Sequence, residues 1–424
     1  MPIPISQQET LTNSLKVKSR SKWVASFAKS QILNHLCKLQ SGQLNLVDGS
    51  ENHSFGNASH PLHAVIYVHD PRFYGEIAFG GSIGAGEAYM LGYWSADNLT
   101  NVIRLMCINQ PVMDNLEGGY QWLTKPIMRL LHWLNSNTTE GSRKNIAAHY
   151  DLGNDMFQLF LDPTMMYSSA MFNGDTKTLQ QASELKLKTI CDKLDLKPTD
   201  HVLEIGTGWG GFSIYAAKNY GCKITTTTIS EQQYHLAKKR VEAAGVSDKI
   251  TLLLDDYRHL NGQYDKLVSI EMIEAVGYQF YDTYFAKLSS LLKPEGLALI
   301  QAITIADQRY ESAKKSVDFI QRYIFPGSCI PSNTAMLNSV TNVTDMRLID
   351  LKDIGPDYAT TLRMWREKFF SNLDQVRKLG YSEEFIKMWT FYFCYCEGGF
   401  EERALGDVHL LLAKPANRSA GLTR

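Results

Sequence analysis

The sequence predicts an α/β protein, in which a doubly wound parallel sheet is preceded by a smaller α+β domain. Two observations predict the sheet. Apolar runs alternate with helical segments through the middle of the chain, and one run ends in a glycine-rich turn followed by an amphipathic stretch. The expected strands are Val202 to Ile205, Ile224 to Ile229, Ile250 to Leu254, Lys266 to Ile270 and Leu297 to Ile305. Ligands of such sheets bind at the carboxyl ends of the strands.

The N-terminal part of the chain predicts a separate domain. Residues up to about Gln40 are expected to be helical, and Leu44 to Ala78 alternates polar and apolar residues between turn signals. The run Gly80 to Gly86 is predicted to be a loop, and Glu87 to Met106 a helix. A polar stretch, Ser136 to Arg143, marks the linker. The predicted domains are residues 1–135 and 136–424.

Composition and charge limit the class of protein. The chain has 424 residues, of which 44% are apolar and 21% charged, as expected of a globular protein with a sizeable core. A formal net charge of −1 argues against a nucleic-acid partner. No run approaches about 18 apolar residues, Met1 to Gln8 is too polar for a signal peptide, and the scattered cysteines lack a metal-binding spacing. We therefore expect a cytoplasmic protein without a metal site.

A basic cluster lies near the N-terminus. It precedes Trp23, after which apolar residues follow at roughly helical spacing. This pattern predicts either contact with an anionic membrane surface or an ordinary surface helix after a solvated terminus. The basic residues are Lys16, Lys18, Arg20 and Lys22.

The glycine-rich turn predicts a cofactor site. Gly206, Gly208 and Gly211 form the spacing G-x-G-x-x-G, in which the missing side chains let the backbone approach a ligand closely. Glu204 precedes the turn, and the second strand ends in Thr225 to Thr228 without the acidic residue that the ribose of a dinucleotide needs. S-adenosylmethionine has no pyrophosphate and needs a carboxylate near its amino acid end. The pattern favours this cofactor, with a dinucleotide as the alternative.

Acidic residues follow the third and fourth predicted strands at the same edge of the sheet. Asp256 and Tyr257 suit an adenine ring, although Asp256 suits a helix N-cap equally well. Glu271 and Glu274 lie three positions apart in an apolar segment, hence on one face of a helix. Carboxylates in such a segment are costly unless they bind something, so both are candidates for facing the transferred group.

Several spaced motifs coincide between about Asp70 and Pro415. They are His149 to Asp155, Tyr167-Ser168, Leu203 to Gly211, Asp256 to Arg258, Glu274 to Gly277, Tyr323 to Pro326 and Asp357-Tyr358. Together they resemble the cyclopropane-fatty-acyl-phospholipid synthase family. The segments Asp70 to Phe73 and Gly84 to Trp94 are similar to the lipid-binding module of that family. The resemblance implies a lipid-recognition domain followed by a Rossmann-like methyltransferase domain.

The resemblance also implies a reaction. S-adenosylmethionine would donate a methyl group to the cis double bond of an unsaturated acyl chain in a membrane phospholipid, and a cyclopropane would form. Attack by the alkene leaves a carbocation, so the site must be dry and must hold a base. In the family this base is a bound bicarbonate ion. The positions that match its binding residues are Glu274, Tyr358, Gln301, Ser169 and Ile303.

Two of these positions depart from the family pattern. Gln301 stands where the family has histidine, and Ser169 where it has cysteine. Both can donate hydrogen bonds to an anion, but histidine's capacity for charge is lost. Ala275 also replaces the histidine that commonly follows the glutamate. A methyl-branched unsaturated product, formed when a neighbouring chain carbon loses the proton, is therefore the alternative outcome.

The cofactor should contact residues of the glycine loop and of the neighbouring strand ends. These are Glu204, Gly206, Gly208, Thr228, Gln233, Asp256 and Tyr257, with Tyr167 and Ser168 added by the resemblance. The expected partners are unsaturated phospholipids at the inner face of the membrane, and the pattern also allows a homodimer. Two other classes stay open: a non-catalytic lipid carrier, and a methyltransferase for a small molecule or RNA.

Overall fold

The computed structural model describes residues 22–113 and 153–418, with side chains from residue 26 onward. These residues form two compact units. The first combines residues up to 113 with Lys315–Pro326 and Phe370–Ala404, two segments that the sequence prediction assigned to the second domain. The second unit holds 153–314, Gly327–Phe369 and the chain from Leu405. The predicted domain boundary, the linker and His149 lie outside the described residues.

The first unit contains a four-stranded sheet with the order β2-β1-β3-β4. β1 pairs in parallel with β3, while β1–β2 and β3–β4 are antiparallel. Leu44 and Leu46 of β1 are fully buried and alternate with more exposed residues, as the predicted alternation requires. The strands are β1 (Gln43–Asp48), β2 (Glu51–Gly56), β3 (His63–Val68) and β4 (Trp94–Ala96). The helices are α1 (Lys22–Leu36), α2 (Arg72–Met90), α3 (Leu99–Ile108), α10 (Phe319–Tyr323), α13 (Leu373–Lys378) and α14 (Glu383–Glu401).

The apolar face of α1 is packed inside the first unit. Ala28, Ile32 and Leu36 are 1%, 3% and 8% exposed. These side chains are therefore unavailable to a membrane surface, which favours the interpretation of α1 as an ordinary surface helix. The basic residues 16–20 lie outside the part of the chain that the structure describes.

The glycine-rich run at 80–86 is helical, so the predicted loop is wrong. It lies inside α2, which is kinked at Gly81 (φ 56°, ψ −132°). A Cβ atom at Gly86 would lie 2.3 Å from the ring of Phe319 in α10, so the missing side chain permits close packing. The predicted helix from Glu87 is also interrupted, because α2 ends at Met90 and β4 precedes α3.

The second unit is built on a seven-stranded sheet with the order β10-β11-β9-β8-β5-β6-β7. The five predicted strands are confirmed as β5 to β9, and they pair in parallel. Two antiparallel strands, β10 and β11, extend the sheet beside β9 and were not predicted. The strands are β5 (His201–Ile205), β6 (Lys223–Thr228), β7 (Ile250–Leu254), β8 (Tyr264–Ile270), β9 (Leu292–Ile305), β10 (Arg347–Asp353) and β11 (Leu405–Ala413).

Apolar clusters bury both faces of this sheet, as a doubly wound fold requires. The helices of this unit are α4 (Asn154–Gln158), α5 (Leu179–Lys193), α6 (Gly211–Tyr220), α7 (Glu231–Ala243), α8 (Tyr281–Ser290), α9 (Asp307–Ala313), α11 (Asn333–Val343) and α12 (Gly355–Ser371). Among the described residues, no helix combines the length and the apolar character needed to cross a bilayer.

Candidate active site

The glycine loop lies between β5 and α6, at the carboxyl edge of the sheet. Gly206, Gly208 and Gly210 have φ angles of 98°, 52° and 84°, a range that glycine adopts readily. The N–H groups of Gly206 and Thr207 both donate to the carbonyl oxygen of Thr227, at 3.1 and 3.0 Å, which fixes the loop to β6. A Cβ atom at Gly208 would meet nothing within 4 Å. The loop therefore presents open backbone, which fits the close approach of a nucleoside cofactor.

The segment that carries Tyr167 and Ser168 packs against the start of α6. A Cβ atom at Gly211 would lie 2.6 Å from Sδ of Met166 and 2.7 Å from the carbonyl oxygen of Thr164. The missing side chain at Gly211, the third glycine of the motif, thus lets the segment at 164–168 pack closely against the start of α6. The predicted pair Tyr167-Ser168 therefore lies beside the loop.

Glu204 supports the loop from within the sheet. It is 3% exposed, and its Oε2 accepts hydrogen bonds from the hydroxyls of Ser213 in α6 and Thr226 in β6, the latter at 2.6 Å. Burial raises the pKa of Glu204 to about 7, although these two hydrogen bonds lower it. The carboxyl group expected at the amino acid end of the cofactor is therefore held in a fixed position.

The remaining predicted cofactor residues follow β6 and β7. Thr228 donates from its hydroxyl to Oε1 of Gln233 at 2.8 Å, which orients the amide at the start of α7. Asp256 accepts from the N–H of Arg258 and pairs with its guanidinium at 2.6 Å. Its carboxylate thus caps the short 3₁₀ turn Tyr257–His259. This is the N-cap role that the sequence offered as the alternative to an adenine contact. Tyr257 packs edge-on against Tyr284, with ring centroids 5.6 Å apart.

Glu271 is the centre of a hydrogen-bond cluster. It follows β8, and its backbone is left-handed, with φ at 46°. Its Oε1 accepts from the N–H of Ser169 at 2.8 Å and from Nε2 of Gln301 at 2.7 Å. Its Oε2 accepts from the hydroxyl of Tyr358 in α12 at 2.7 Å. Three groups that the sequence placed in the site therefore converge on this carboxylate.

Gln301 connects Glu271 to the unpredicted strand β11. The antiparallel register places His409 opposite Gln301 and Asp407 opposite Ile303, so the side chains at 301, 407 and 409 share one face. Nε2 of Gln301 also donates to Oδ2 of Asp407 at 2.9 Å, and Oε1 lies 3.3 Å from Nε2 of His409. Burial raises the pKa of Asp407 well above its usual range and lowers that of His409 well below its own.

Lys186 is a cation buried in the same region. It lies on α5 and has no exposed surface, and its Nζ donates to the hydroxyl of Ser168 at 2.5 Å. Burial lowers the pKa of Lys186 to about 8, although the charges of Glu271, Asp407 and Asp162 raise it. The ammonium group therefore remains charged at neutral pH beside the carboxylates.

Glu274 occupies a separate position in the 3₁₀ turn after Glu271. Its Oε1 accepts from the N–H of Ile303 at 2.5 Å, and its Oε2 is buried without a hydrogen-bond partner. Burial, and then the negative charge of Glu271, raise the pKa of Glu274 to about 8. Glu274 is thus mainly protonated at neutral pH.

The groups expected to hold bicarbonate do not fit that ion. Tyr358 and Gln301 donate to Glu271, Ile303 donates to Glu274, and the Ser169 hydroxyl donates to the carbonyl oxygen of Ala170 at 3.0 Å. Each of these donors is already directed at an acceptor of the protein. Tyr358, Gln301 and the Ser169 N–H do come together, but around the carboxylate of Glu271, whereas Glu274 and Ile303 pair with each other.

Sequence reasoning missed Lys186, Asp407 and His409. One signal was available for the last two, because Asp407 and His409 are polar residues two positions apart in an apolar run, which places both on one face of a strand. Lys186 offered a signal as well, because it shares the helical spacing of the buried residues of α5, including Leu179, Ala182 and Ile190.

The fold and the glycine loop define an S-adenosylmethionine-dependent methyltransferase. The model of the mycolic acid cyclopropane synthetase family matches residues 137–410, and the chain belongs to this family. The predicted resemblance is thereby confirmed.

Two relatives cover most of the chain. Tuberculostearic acid methyltransferase UfaA1 of Mycobacterium tuberculosis is 38% identical over 401 residues, which is 90% of each chain. Cyclopropane-fatty-acyl-phospholipid synthase of Escherichia coli is 39% identical over 357 residues, 84% of this chain and 87% of that one. A solved structure, mycolic acid cyclopropane synthase CmaA1 complexed with SAH and CTAB, is 27% identical with a TM-score of 0.59, and the match covers 64% of this chain and 98% of that chain. The names of both relatives refer to lipids, but one is named a methyltransferase and the other a cyclopropane synthase.

Replacing Gly206 by valine is expected to abolish cofactor binding. At a φ of 98° a β-branched residue is strained, and its Cβ would also lie 3.4 Å from Cγ of Met272. Titration calorimetry with S-adenosylhomocysteine measures the effect. Gly245→Val is the matched control, because Gly245 has φ +70° and open space. Unchanged affinity in Gly206→Val would mean that the loop has no part in cofactor binding.

Proposed function

We propose that this enzyme transfers a methyl group from S-adenosylmethionine to the cis double bond of an unsaturated acyl chain in a membrane phospholipid, and closes the added carbon into a cyclopropane ring. The observation that carries the proposal is the buried carboxylate cluster beside the glycine loop. When a methyltransferase methylates nitrogen or oxygen, the methylated atom can lose its proton to water. When it methylates an alkene, the cationic product must lose a proton from carbon, inside a site from which water is excluded.

The cofactor supplies an electrophilic methyl group when it is bound. We assign its contacts to the open backbone of Gly206 and Gly208, the carboxyl group of Glu204, and residues along the same edge of the sheet. The further residues proposed to contact it are Thr228, Gln233, Asp256, Tyr257, Tyr167 and Ser168.

Aromatic side chains supply the dry wall that the reaction needs. The ring of Trp365 is 5.3 Å from that of Tyr167 and 6.0 Å from that of Tyr358, measured between centroids. Aromatic faces stabilise positive charge, and their bulk excludes the water that would trap a carbocation. This cluster adjoins Glu271, so a cation formed nearby is within the range of a base.

A methyl-branched unsaturated product is the second candidate. Gln301 and Ser169 depart from the family pattern, and one relative is named a methyltransferase whereas the other is named a cyclopropane synthase. Both outcomes share the methyl transfer and differ in which carbon loses a proton. We favour ring closure, because Glu274, Tyr358 and Ile303 are retained at the positions of the family pattern.

The phospholipid substrate implies a membrane surface. The relatives' lipid names support such a partner, and the family resemblance of residues 70–94 supports lipid recognition by the first unit. We place the enzyme peripherally at the inner face of the membrane, where S-adenosylmethionine is available.

A trideuterated methyl donor tests this function. The enzyme is incubated with vesicles of unsaturated phospholipid, and the acyl chains are analysed by mass spectrometry. Ring closure takes a proton from the incoming methyl group, so the product should retain two deuterium atoms. Retention of all three would establish the branched product, and absence of label from the lipid would contradict the proposed function.

A further inference from the structure

We propose that the carboxylate of Glu271 is the base of this enzyme, and that it takes the place of the bicarbonate ion on which the family pattern relies. Glu271 would be a catalytic residue that accepts the proton directly from carbon. The inference rests on the proposed function, because it concerns the base in that reaction.

The hydrogen-bond donors around Glu271 are those expected to bind an anion. Tyr358, Gln301 and the segment at Ser169 are the positions that the resemblance assigned to the bound anion. In the structure they donate to the two oxygens of Glu271, at 2.7, 2.7 and 2.8 Å. We call these three donors the anion cradle. A bicarbonate ion and a carboxylate present the same planar O–C–O group to hydrogen-bond donors, so the Glu271 side chain can accept the hydrogen bonds that the cradle would give a bound anion.

The backbone supplies a second, independent observation. Glu271 has φ at 46°, a strained conformation that non-glycine residues rarely adopt. Glycine would fit there without strain. Strain that is retained at a functional site indicates that the side chain is needed.

The hydrogen-bond donors and the lysine charge around Glu271 favour its carboxylate form. The groups that face it are Lys186, Asp407, Glu274, Gln301 and Tyr358. Burial raises the pKa of Glu271, but Lys186, the Ser169 N–H and Tyr358 all lower it. The pKa values of Asp407 and Glu274 are raised by burial and by the charge of Glu271. The lysine charge and the hydrogen bonds thus favour the carboxylate form at Glu271, whereas burial and the charge of Glu271 favour the protonated forms of Asp407 and Glu274.

Glu271 lies next to the glycine loop. A Cβ atom at Gly206 would be 3.4 Å from Cγ of the following residue, Met272. Residue 271 is partly exposed, whereas Gln301, Ser169 and Asp407 have no exposed surface, so the residues that orient the carboxylate lie deeper in the core than Glu271.

The proton-transfer step balances without another reactant. After methyl transfer, one C–H bond of the added carbon breaks, and its electron pair forms the second bond of the ring to the cationic carbon. The proton moves to an oxygen of Glu271 and is released to solvent before the next turnover.

Glu271→Gly tests the inference, because it removes the carboxylate, relieves the backbone and opens an anion-sized space. Without added bicarbonate, in carbonate-free buffer, the variant should lose about 100-fold or more in turnover with unsaturated phospholipid vesicles. Added bicarbonate should restore part of that turnover and raise the Tm of the variant, because the ion then binds the folded protein. The wild type should show neither response. Asp195→Gly is the matched control, since Asp195 has φ at 50° in an exposed ion pair with Lys197.

Three results would overturn the inference: wild-type turnover that depends on bicarbonate, full turnover of Glu271→Gly in carbonate-free buffer, or an inactive variant whose Tm and turnover both ignore bicarbonate. A wild type that binds S-adenosylhomocysteine but never methylates unsaturated phospholipid would instead contradict the proposed function. The Tm measurement would still test the anion cradle in that case.

Discussion

Lys186→Met should lower turnover at pH 7 at least about tenfold and shift the acid limb of the pH profile to higher pH. Lys186 is a buried cation whose charge lowers the pKa of Glu271. Without it that pKa rises, and each unit of rise above the assay pH lowers the ionised fraction tenfold. A base must be ionised to act, so activity should recover as the pH is raised. The pH dependence of kcat/KM measures this shift.

The control for this substitution is Lys266→Met. Lys266 is also a largely buried lysine of the sheet, and burial lowers its pKa. The charges that act on it are those of Asp200, Asp195, Lys197 and Asp265, none of which belongs to the cluster around Glu271. We expect its pH profile to match the wild type. An unshifted profile in Lys186→Met would show that the lysine charge does not control the base.

Tyr358→Phe should lower kcat/KM by about 10- to 100-fold with little change in the affinity for S-adenosylhomocysteine. The hydroxyl of Tyr358 donates to Oε2 of Glu271 at 2.7 Å, and a hydrogen bond to a charged group contributes about 1.5–3 kcal/mol. Steady-state kinetics with phospholipid vesicles, together with titration calorimetry, separates the two effects.

Tyr220→Phe provides the comparison, because the hydroxyl of Tyr220 also donates to a carboxylate, that of Asp192, at 2.6 Å on the surface of the same unit. This variant should keep wild-type kcat/KM. If Tyr358→Phe were equally active, the hydrogen bond to Glu271 would have no part in the reaction.

The regular part of the second unit was predictable from the sequence. Most of the parallel strands are apolar runs with a turn after them, although β6 is mainly threonine, and the glycine spacing identified the loop after β5. Strands β10 and β11 were missed because β10 (RLIDLKD) has no continuous apolar run, and the antiparallel pairing of β11 with β9 joins segments that are far apart in the chain. The glycine run in α2 was misjudged because glycine permits both loops and close helix packing, and only the position of Phe319 distinguishes the two.

The sequence predicted most of the residues that form the candidate site, but not how these residues are arranged. Sequence patterns selected both Glu271 and Glu274, and the resemblance then assigned the role to Glu274. The structure directs Tyr358 and Gln301 to Glu271 instead. Spacing along the chain cannot determine which of two nearby carboxylates meets a donor from a distant helix. That choice depends on the left-handed backbone at 271 and on the register of β11.

The proposed function requires the enzyme to methylate an isolated double bond in a phospholipid. The most direct measurement compares vesicles of monounsaturated and fully saturated phosphatidylglycerol, each incubated with the full-length enzyme and S-adenosylmethionine that carries a radiolabelled methyl group. We expect label in the acyl chains of the unsaturated lipid and none in the saturated lipid. Equal labelling of both lipids, or labelling of neither by enzyme that binds S-adenosylhomocysteine, would contradict the claim.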